Sequence, residues 1–259
     1  MIKPYIANYH THTARCGHAW GEDREYAQAA FKRGIKILGF SDHVPMPFPD
    51  GHESRFRVQL SRLDDYVESV LSLREEYKDR MQILLGFEAE YYPDRFEAMR
   101  EMLAAYPVDY LLLGQHFNDS SETLYNTRPQ DDPADLAAYA DRVCEGMATG
   151  AFTYVAHPDL LNFTGDEARY VREMTRICET AKTLEIPLEI NLLGFREERN
   201  YPDPRFWEIA GQVGVKAVIG CDAHDPAHVA DPENLAQGFA WAKRFGLGTL
   251  ETVLLKKPL

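Results

Sequence analysis

His10-Thr11-His12 follows a short apolar run near the start of the chain, and Cys16-Gly17-His18 comes close behind. In a β-strand, residues i and i+2 project from one face, so two imidazoles can converge on one point there. Such a pair suits a borderline divalent cation. Alone it is a weak signal, because polar strand ends carry chance histidines. The pattern gains force downstream. Ser41-Asp42-His43, Glu88, Gly114-Gln115-His116, Ala156-His157-Pro158-Asp159 and Gly220-Cys221-Asp222-Ala223-His224 each stand at the end of a further apolar run. Of nine histidines, seven lie in these places and only His52 and His228 lie elsewhere. One His at a strand end is usually a satisfied polar residue. A His or carboxylate at six of seven run ends points instead to one shared multi-metal site.

Something must bring these ends together. The apolar runs span 5–12, 35–43, 83–90, 110–117, 153–159, 188–194 and 217–224. Their unbroken apolar character suits strands buried on both faces, as in parallel sheets. Helical stripes lie between them. Leu63, Tyr66, Val67, Val70 and Leu71 form one; Leu136, Tyr139, Ala140, Val143 and Met147 a second. Val171, Met174, Ile177, Cys178, Ala181 and Leu184 form a third; Phe206, Ile209, Ala210 and Val213 a fourth; Leu235, Phe239 and Ala242 belong to a last. Ser61 and Asp64 have the spacing of a capping box, and Asp203-Pro204 reads as N-cap and first helical residue. Gly34 and Gly246 stand where helices would stop. This alternation predicts an α/β fold with a parallel sheet: a (β/α) barrel of seven units, with an open doubly wound sheet as the rival. No linker divides residues 1–259, so a single domain is expected. The C-terminal ends of its strands would share one rim, where α/β enzymes place their chemistry.

The bulk composition narrows the partners. Net charge is 28 − 41 = −13, which argues against nucleic acid and anionic membrane surfaces. An anionic substrate would need local cations, and metal ions could supply them. No apolar run approaches a membrane span, and residues 1–5 hold no signal-peptide apolar core. The four cysteines show no Cys-x-x-Cys pairing, and Cys144 and Cys178 fall on helical stripes. A reduced cytoplasmic protein is the simplest account.

The ordered set His10-x-His12, Cys16-Gly17-His18-Ala19, Ser41-Asp42-His43, Glu88, His116-Phe117, His157-Pro158-Asp159 and Gly220-Cys221-Asp222-Ala223-His224 resembles the polymerase and histidinol phosphatase (PHP) superfamily, over essentially the whole chain. Cys16-Gly17-His18-Ala19, His157-Pro158-Asp159-Leu160 and the segment from Arg196 to Tyr201-Pro202 are most similar to its histidinol-phosphatase branch. Two departures stand out: Cys221 replaces a common Ser, and Glu197 follows Arg196 where a basic residue is frequent. The resemblance implies a distorted seven-stranded (β/α) barrel, TIM-barrel-like, holding three divalent metals. His10, His12, Glu88 and Asp222 would hold the first. His18, His43 and His224 would hold the second. Glu88, His116 and His157 would hold the third, with Glu88 bridging. Mixed nitrogen and oxygen sites of this kind suit zinc, iron or manganese. The implied reaction is hydrolysis of L-histidinol phosphate to L-histidinol and phosphate, a step of histidine biosynthesis.

Clustered divalent ions suit that chemistry. They acidify a bound water, neutralise phosphoryl oxygens and stabilise the departing alkoxide, so a bridging hydroxide could attack phosphorus in line. No Ser or Cys nucleophile is then needed. Cys16 lacks a phosphate-cradling Cys-x5-Arg loop, since the residue six further on is Glu22. Arg196 follows the sixth run, the one whose end lacks a metal ligand, and is the expected phosphate clamp. Residues 45–57, with three prolines, Gly51, His52, Arg55 and Arg57, read as a loop over the mouth of the site, from which Arg55 or His52 could reach substrate. Asp42 and Asp159 each neighbour a ligand histidine and would orient it or protonate the leaving group. Two rival readings remain: another phosphoesterase on the same scaffold, acting on protein-tyrosine, nucleotide or sugar phosphates, or a non-catalytic metal-binding domain. Nine filled ligand positions favour an enzyme.

Overall fold

The computed structural model describes residues 5–49 and 51–258. Its strands are β1 (Ala7–Asn8), β2 (Ile37–His43), β3 (Gln82–Ala89), β4 (Tyr110–Leu113), β5 (Phe152–Val155), β6 (Leu188–Asn191), β7 (Lys216–Gly220) and β8 (Gly248–Thr249). They form one sheet in chain order, each strand parallel to the next. Strand order never reverses, so the doubly wound alternative is excluded. The helices between strands are α1 (Asp23–Lys32), α2 (Leu63–Tyr77), α3 (Phe96–Leu103), α4 (Pro133–Ala148), α5 (Glu167–Thr183), the short α6 (Leu192–Arg196), α7 (Pro204–Val213) and α8 (Pro232–Arg244).

The expected seven strands become eight. The extra one, β8, has two residues and pairs with the first residues of β7, Lys216 and Ala217. It lies at the end of the sheet opposite the rim. At the rim the sheet curls shut between the extensions of β1 and β7. Thr11 bridges Ala223 there. The His12 N–H donates to the Ala223 carbonyl at 3.0 Å, and the Ala223 N–H to that of His10 at 3.3 Å. Asn8 stitches the same seam, its Oδ1 accepting from the Cys221 N–H at 2.9 Å. The first and last ligand-bearing segments are thereby neighbours.

Two apolar clusters follow from strand alternation. The larger lies between sheet and helices and includes Phe40, Leu85, Leu111, Val155, Ile190 and Trp207. The smaller fills the barrel interior with Ala7, Tyr9, Leu84, Tyr110, Leu112, Tyr154, Ala156 and Val218. Tyr110 crosses that interior and donates to the Tyr9 carbonyl at 2.6 Å. Glycine at 39 and 86 makes room for it, because a Cβ at either would collide with its ring or hydroxyl.

Local expectations met mixed outcomes. Asp203 caps α7 with Pro204 behind it. Gly34 (φ 81°) and Gly246 (φ 66°) take the left-handed conformation just past α1 and α8. Ser61 does not cap α2, which begins after Arg62 with no side-chain cap. Val171 and Leu184 are exposed, so the buried stripe of α5 is narrower than its apolar pattern. Cys178 is buried, Cys144 half-buried, and all four cysteines are free thiols. Among the described residues, no helix is long and apolar enough to cross a membrane.

Candidate metal centre

The strand ends deliver their ligands to one cavity of about 330 Å³, lined by His12, His18, His43, Glu88, His116, His157, Asp222 and His224, with His10 directly beneath. His10 and His12 lie on the extension of β1, with Nε2 atoms 3.1 Å apart. Asp222 Oδ1 approaches them at 3.6 and 3.1 Å, and Glu88 Oε2 at 3.4 and 3.5 Å. His10, His12 and Asp222 offer donor atoms close enough together to hold one ion, and Glu88 Oε2 lies beside them. The other carboxylate oxygen, Glu88 Oε1, lies 2.7 Å from His157 Nε2 and 3.6 Å from His116 Nε2. Glu88 therefore faces two sets of donors, one through each oxygen. Gly114 on the neighbouring strand clears space for it, since a Cβ there would collide with Oε1. The remaining set contains only histidines. The ring centroid of His18 lies 5.3 Å from that of His43 and 4.9 Å from that of His224.

Second partners settle the tautomers. A carboxylate or carbonyl only accepts, so a ring nitrogen bonded to one carries the proton and leaves the other nitrogen as a ligand. His10 Nδ1 lies 2.8 Å from Glu189 Oε1, His12 Nδ1 3.4 Å from Asp42 Oδ1, and His116 Nδ1 2.7 Å from Glu90 Oε1. His18 Nδ1 faces the Cys16 carbonyl at 3.1 Å and His224 Nδ1 the Asp222 carbonyl at 3.2 Å. Nε2 is then the nitrogen left for a cation in His10, His18, His116 and His224, whereas in His12 it also meets Asp222 Oδ1 at 3.1 Å.

The electrostatics fit the same picture. Burial pushes the Glu88 carboxyl up, but His116, His10, His43 and His157 outweigh it and hold Glu88 well below the usual range. His10 likewise holds Asp222 well below its usual range against burial. Burial pushes His18 down to about 4, with His224 and His12 adding repulsion. Glu88 Oε2, Asp222 Oδ1 and His43 Nδ1 are buried without any hydrogen-bond partner. Buried orphans of this kind ask for a ligand, and nitrogen and carboxylate oxygen are donors that suit a divalent cation. His157 (φ 29°) and Asp222 (φ 45°) also sit in the left-handed backbone region, a strain that collects at functional sites.

The remaining expected residues separate into those on the cavity wall and those behind it. Arg55 lines the cavity. Arg196 does not: its Nη2 reaches back to the carbonyls of Cys221 (3.4 Å) and Asp222 (3.2 Å), so it braces the β7 rim. Arg199, three residues on, lines the cavity instead. Asp42 is spent on positioning. Its Oδ1 also accepts from the His43 N–H at 2.9 Å, and its Oδ2 takes the Thr13 N–H at 3.1 Å and the Thr13 hydroxyl. Asp159 lies behind the site, accepting from the Asp203 N–H at 2.6 Å and Trp207 Nε1 at 2.8 Å, where burial pushes its carboxyl up to about 7. The Cys16 thiol is buried, donates to the Thr13 carbonyl at 3.1 Å, and is pushed up to about 11 by burial and then by Asp42. A thiol so protonated is no nucleophile.

Sequence reading gave no role to Glu189, Glu90, Phe56, Tyr125 and Arg199, and named Arg57 and Tyr201 only as parts of longer segments. Glu189 carried a usable signal, a carboxylate inside the apolar run Leu188-Glu189-Ile190. It takes four donors: His10 Nδ1 and Tyr154 Oη on Oε1, the His157 N–H and Asn191 Nδ2 on Oε2.

The fold is similar to the crystal structure of histidinol phosphate phosphatase from Lactococcus lactis, complexed with zinc, L-histidinol and phosphate (TM-score 0.72, 18% identity, covering 96% of this chain and 99% of that one). A Deinococcus radiodurans protein named probable histidinol-phosphatase is 29% identical over 238 residues, 86% of this chain and 88% of its own. A Schizosaccharomyces pombe protein of the same name is 24% identical over 257 residues, 89% of this chain and 84% of its own. The family model of the PHP domain matches residues 8–192, and the chain belongs to that family.

Proposed function

We propose that this protein is a metal-dependent phosphomonoesterase that hydrolyses L-histidinol phosphate to L-histidinol and phosphate. One observation carries the reading: the buried, unpartnered oxygens of Glu88 and Asp222 face a ring of imidazoles in a cavity with two arginines, Arg55 and Arg199, on its wall. Three divalent ions fit as His10, His12, Glu88 and Asp222; His18, His43 and His224; and Glu88, His116 and His157. Such ions supply Lewis acidity and an activated water. Zinc, iron and manganese all suit the donors. The chain's own residues do the rest. Arg55 holds phosphoryl oxygens, for which a guanidinium fork is suited, while Arg199 on the same wall is engaged by Glu197 Oε2 at 2.6 and 2.9 Å and by the Tyr201 hydroxyl at 3.0 Å. Phe56, Tyr125 and Tyr201 on the cavity wall offer flat faces to an imidazole. Glu189, Asp42 and Glu90 keep the ligand rings aimed. A cavity of about 330 Å³ is of a size to admit a small phosphate ester.

The test is a substrate panel. Phosphate release is followed with L-histidinol phosphate, phosphotyrosine peptide and sugar phosphates, on protein whose metal content has been measured. A kcat/KM for L-histidinol phosphate at least about tenfold above the others is expected, equal to about 1.4 kcal/mol of discrimination. No preference would sink the substrate assignment. Fewer than two metal equivalents would sink the metal centre.

A further inference from the structure

We infer that Arg57 is a positioning residue that ties the third metal's His116 to Arg55 and Phe56 on the cavity wall. This rests on the metal-centre reading above. The segment 44–57 leaves β2 at His43 and returns to it, where the Val58 N–H donates to the His43 carbonyl at 3.1 Å. Two adjacent residues at the return point opposite ways. Phe56 faces the cavity, its ring centroid 4.1 Å from that of His43 and 5.1 Å from that of His116. Arg57 turns into the protein and is only 2% exposed.

The guanidinium meets carboxylates from two other parts of the chain. Arg57 Nη1 lies 2.5 Å from Glu90 Oε2, just past β3. Its Nη2 and Nε lie 2.5 and 2.8 Å from Glu122 Oε1, in the segment after β4. The second oxygen of Glu90 accepts from His116 Nδ1 at 2.7 Å, which turns His116 Nε2 toward Glu88. A chain of contacts therefore runs from Glu122 through Arg57 and Glu90 to a ligand imidazole, with Phe56 of the cavity wall one bond away. Buried ion pairs add little net stability over apolar packing, so this one is better understood as fixing geometry. The fork matters, because a lysine ammonium would not hold both carboxylates in the same fixed geometry.

Three variants separate the two arms. Glu90→Gln can still accept from His116 but turns an amide N–H2 toward Arg57. It should weaken zinc binding at one site by about 10–100-fold, leaving the other sites unchanged. Glu122→Gln should keep wild-type zinc affinity while tryptic cleavage within 44–57 accelerates. Arg57→Lys should show both effects. Zinc affinity is read by chelator competition, and the melting temperature of the chelator-treated protein reports the fold. Arg57→Lys with unchanged zinc affinity at every site, or Glu90→Gln with only a lower melting temperature, overturns the inference. A wild-type protein holding fewer than two zinc equivalents defeats the metal-centre reading instead.

Discussion

The barrel interior has two ends built from the same strands, and they solve opposite problems. On the floor, the hydroxyls of Tyr9, Tyr110 and Tyr154 all have partners. Tyr110 donates to the Tyr9 carbonyl at 2.6 Å, Tyr154 to Glu189 at 3.2 Å, and the Tyr9 hydroxyl accepts from the Val253 N–H at 3.3 Å. Burial holds the Tyr110 and Tyr154 hydroxyls well above the usual phenol range, so both remain donors. On the rim, Glu88 Oε2, Asp222 Oδ1 and His43 Nδ1 are buried without hydrogen-bond partners. A folded chain tolerates few such orphans. These three face one cavity, as expected where stability is given up for binding. The floor should respond to mutation as a fold, and the rim as a site.

The largest effect expected from this contrast is at Glu88. Glu88→Ala removes one oxygen from each of two donor sets, and kcat should fall about a thousandfold or more, a loss of several kcal/mol in transition-state stabilisation. Arg196→Ala removes a brace on the Cys221 and Asp222 carbonyls, worth about one hydrogen bond, so about a tenfold loss is expected. Steady-state kinetics on metal-analysed protein measures both. Comparable losses in the two variants would refute the bridging role of Glu88.

Leu112→Ala probes the floor. Its side chain is fully buried in the inner cluster. Truncation should cost about 2–5 kcal/mol in denaturant unfolding. Bound metal per folded protein should stay at the wild-type value. A variant that loses metal as readily as stability would break the proposed separation of the two ends.

The distance between what the sequence revealed and what it hid follows the same division. The candidate ligands were legible because, His18 apart, each stands at or just beyond a strand end, and the period of two places His10 and His12 on one face. The parallel sheet was legible from unbroken apolar runs such as 83–90. The strand β8 was not, because two residues leave no periodic pattern. Helix α3 left no recognised stripe in its eight residues. Arg57, Glu90 and Glu122 are far apart in sequence, and their meeting depends on how two loops fold back. Arg196 and Arg199 are equally basic, and only the short turn of α6 decides which one faces the cavity.

Chain beyond β8 offers a smaller test of the floor. Val253 and Leu255 pack against the inner cluster, and the Lys256 N–H donates to Thr153 Oγ1 at 3.1 Å. Deleting residues 253–259 should lower stability by about 2 kcal/mol, from two half-buried apolar side chains and their backbone bonds. Thermal unfolding would register the change. Zinc affinity should not move, because no rim residue touches this segment among the described contacts. An altered affinity would mean that the floor communicates with the rim.

Glu189 is where such communication would pass. Its Oε1 accepts from Tyr154 below and from His10 above, while its Oε2 takes the His157 N–H at 3.1 Å and Asn191 Nδ2 at 2.8 Å. Gly220 leaves room for it, since a Cβ there would collide with Oε1. Four donors converge on two oxygens, a demand that only an ionised carboxylate meets in full. Glutamine keeps the shape but turns an N–H2 toward two donors. If that amide faces the backbone side, His10 keeps its acceptor. If it faces His10, the imidazole must flip its proton to Nε2 and lose its lone pair for the cation. Glu189→Gln should therefore cost about 1 kcal/mol in the metal-free protein and about tenfold in zinc affinity, milder than the loss of a ligand. Chelator competition and metal-free unfolding separate the two terms. A stability loss with no change in zinc affinity would assign Glu189 wholly to the floor.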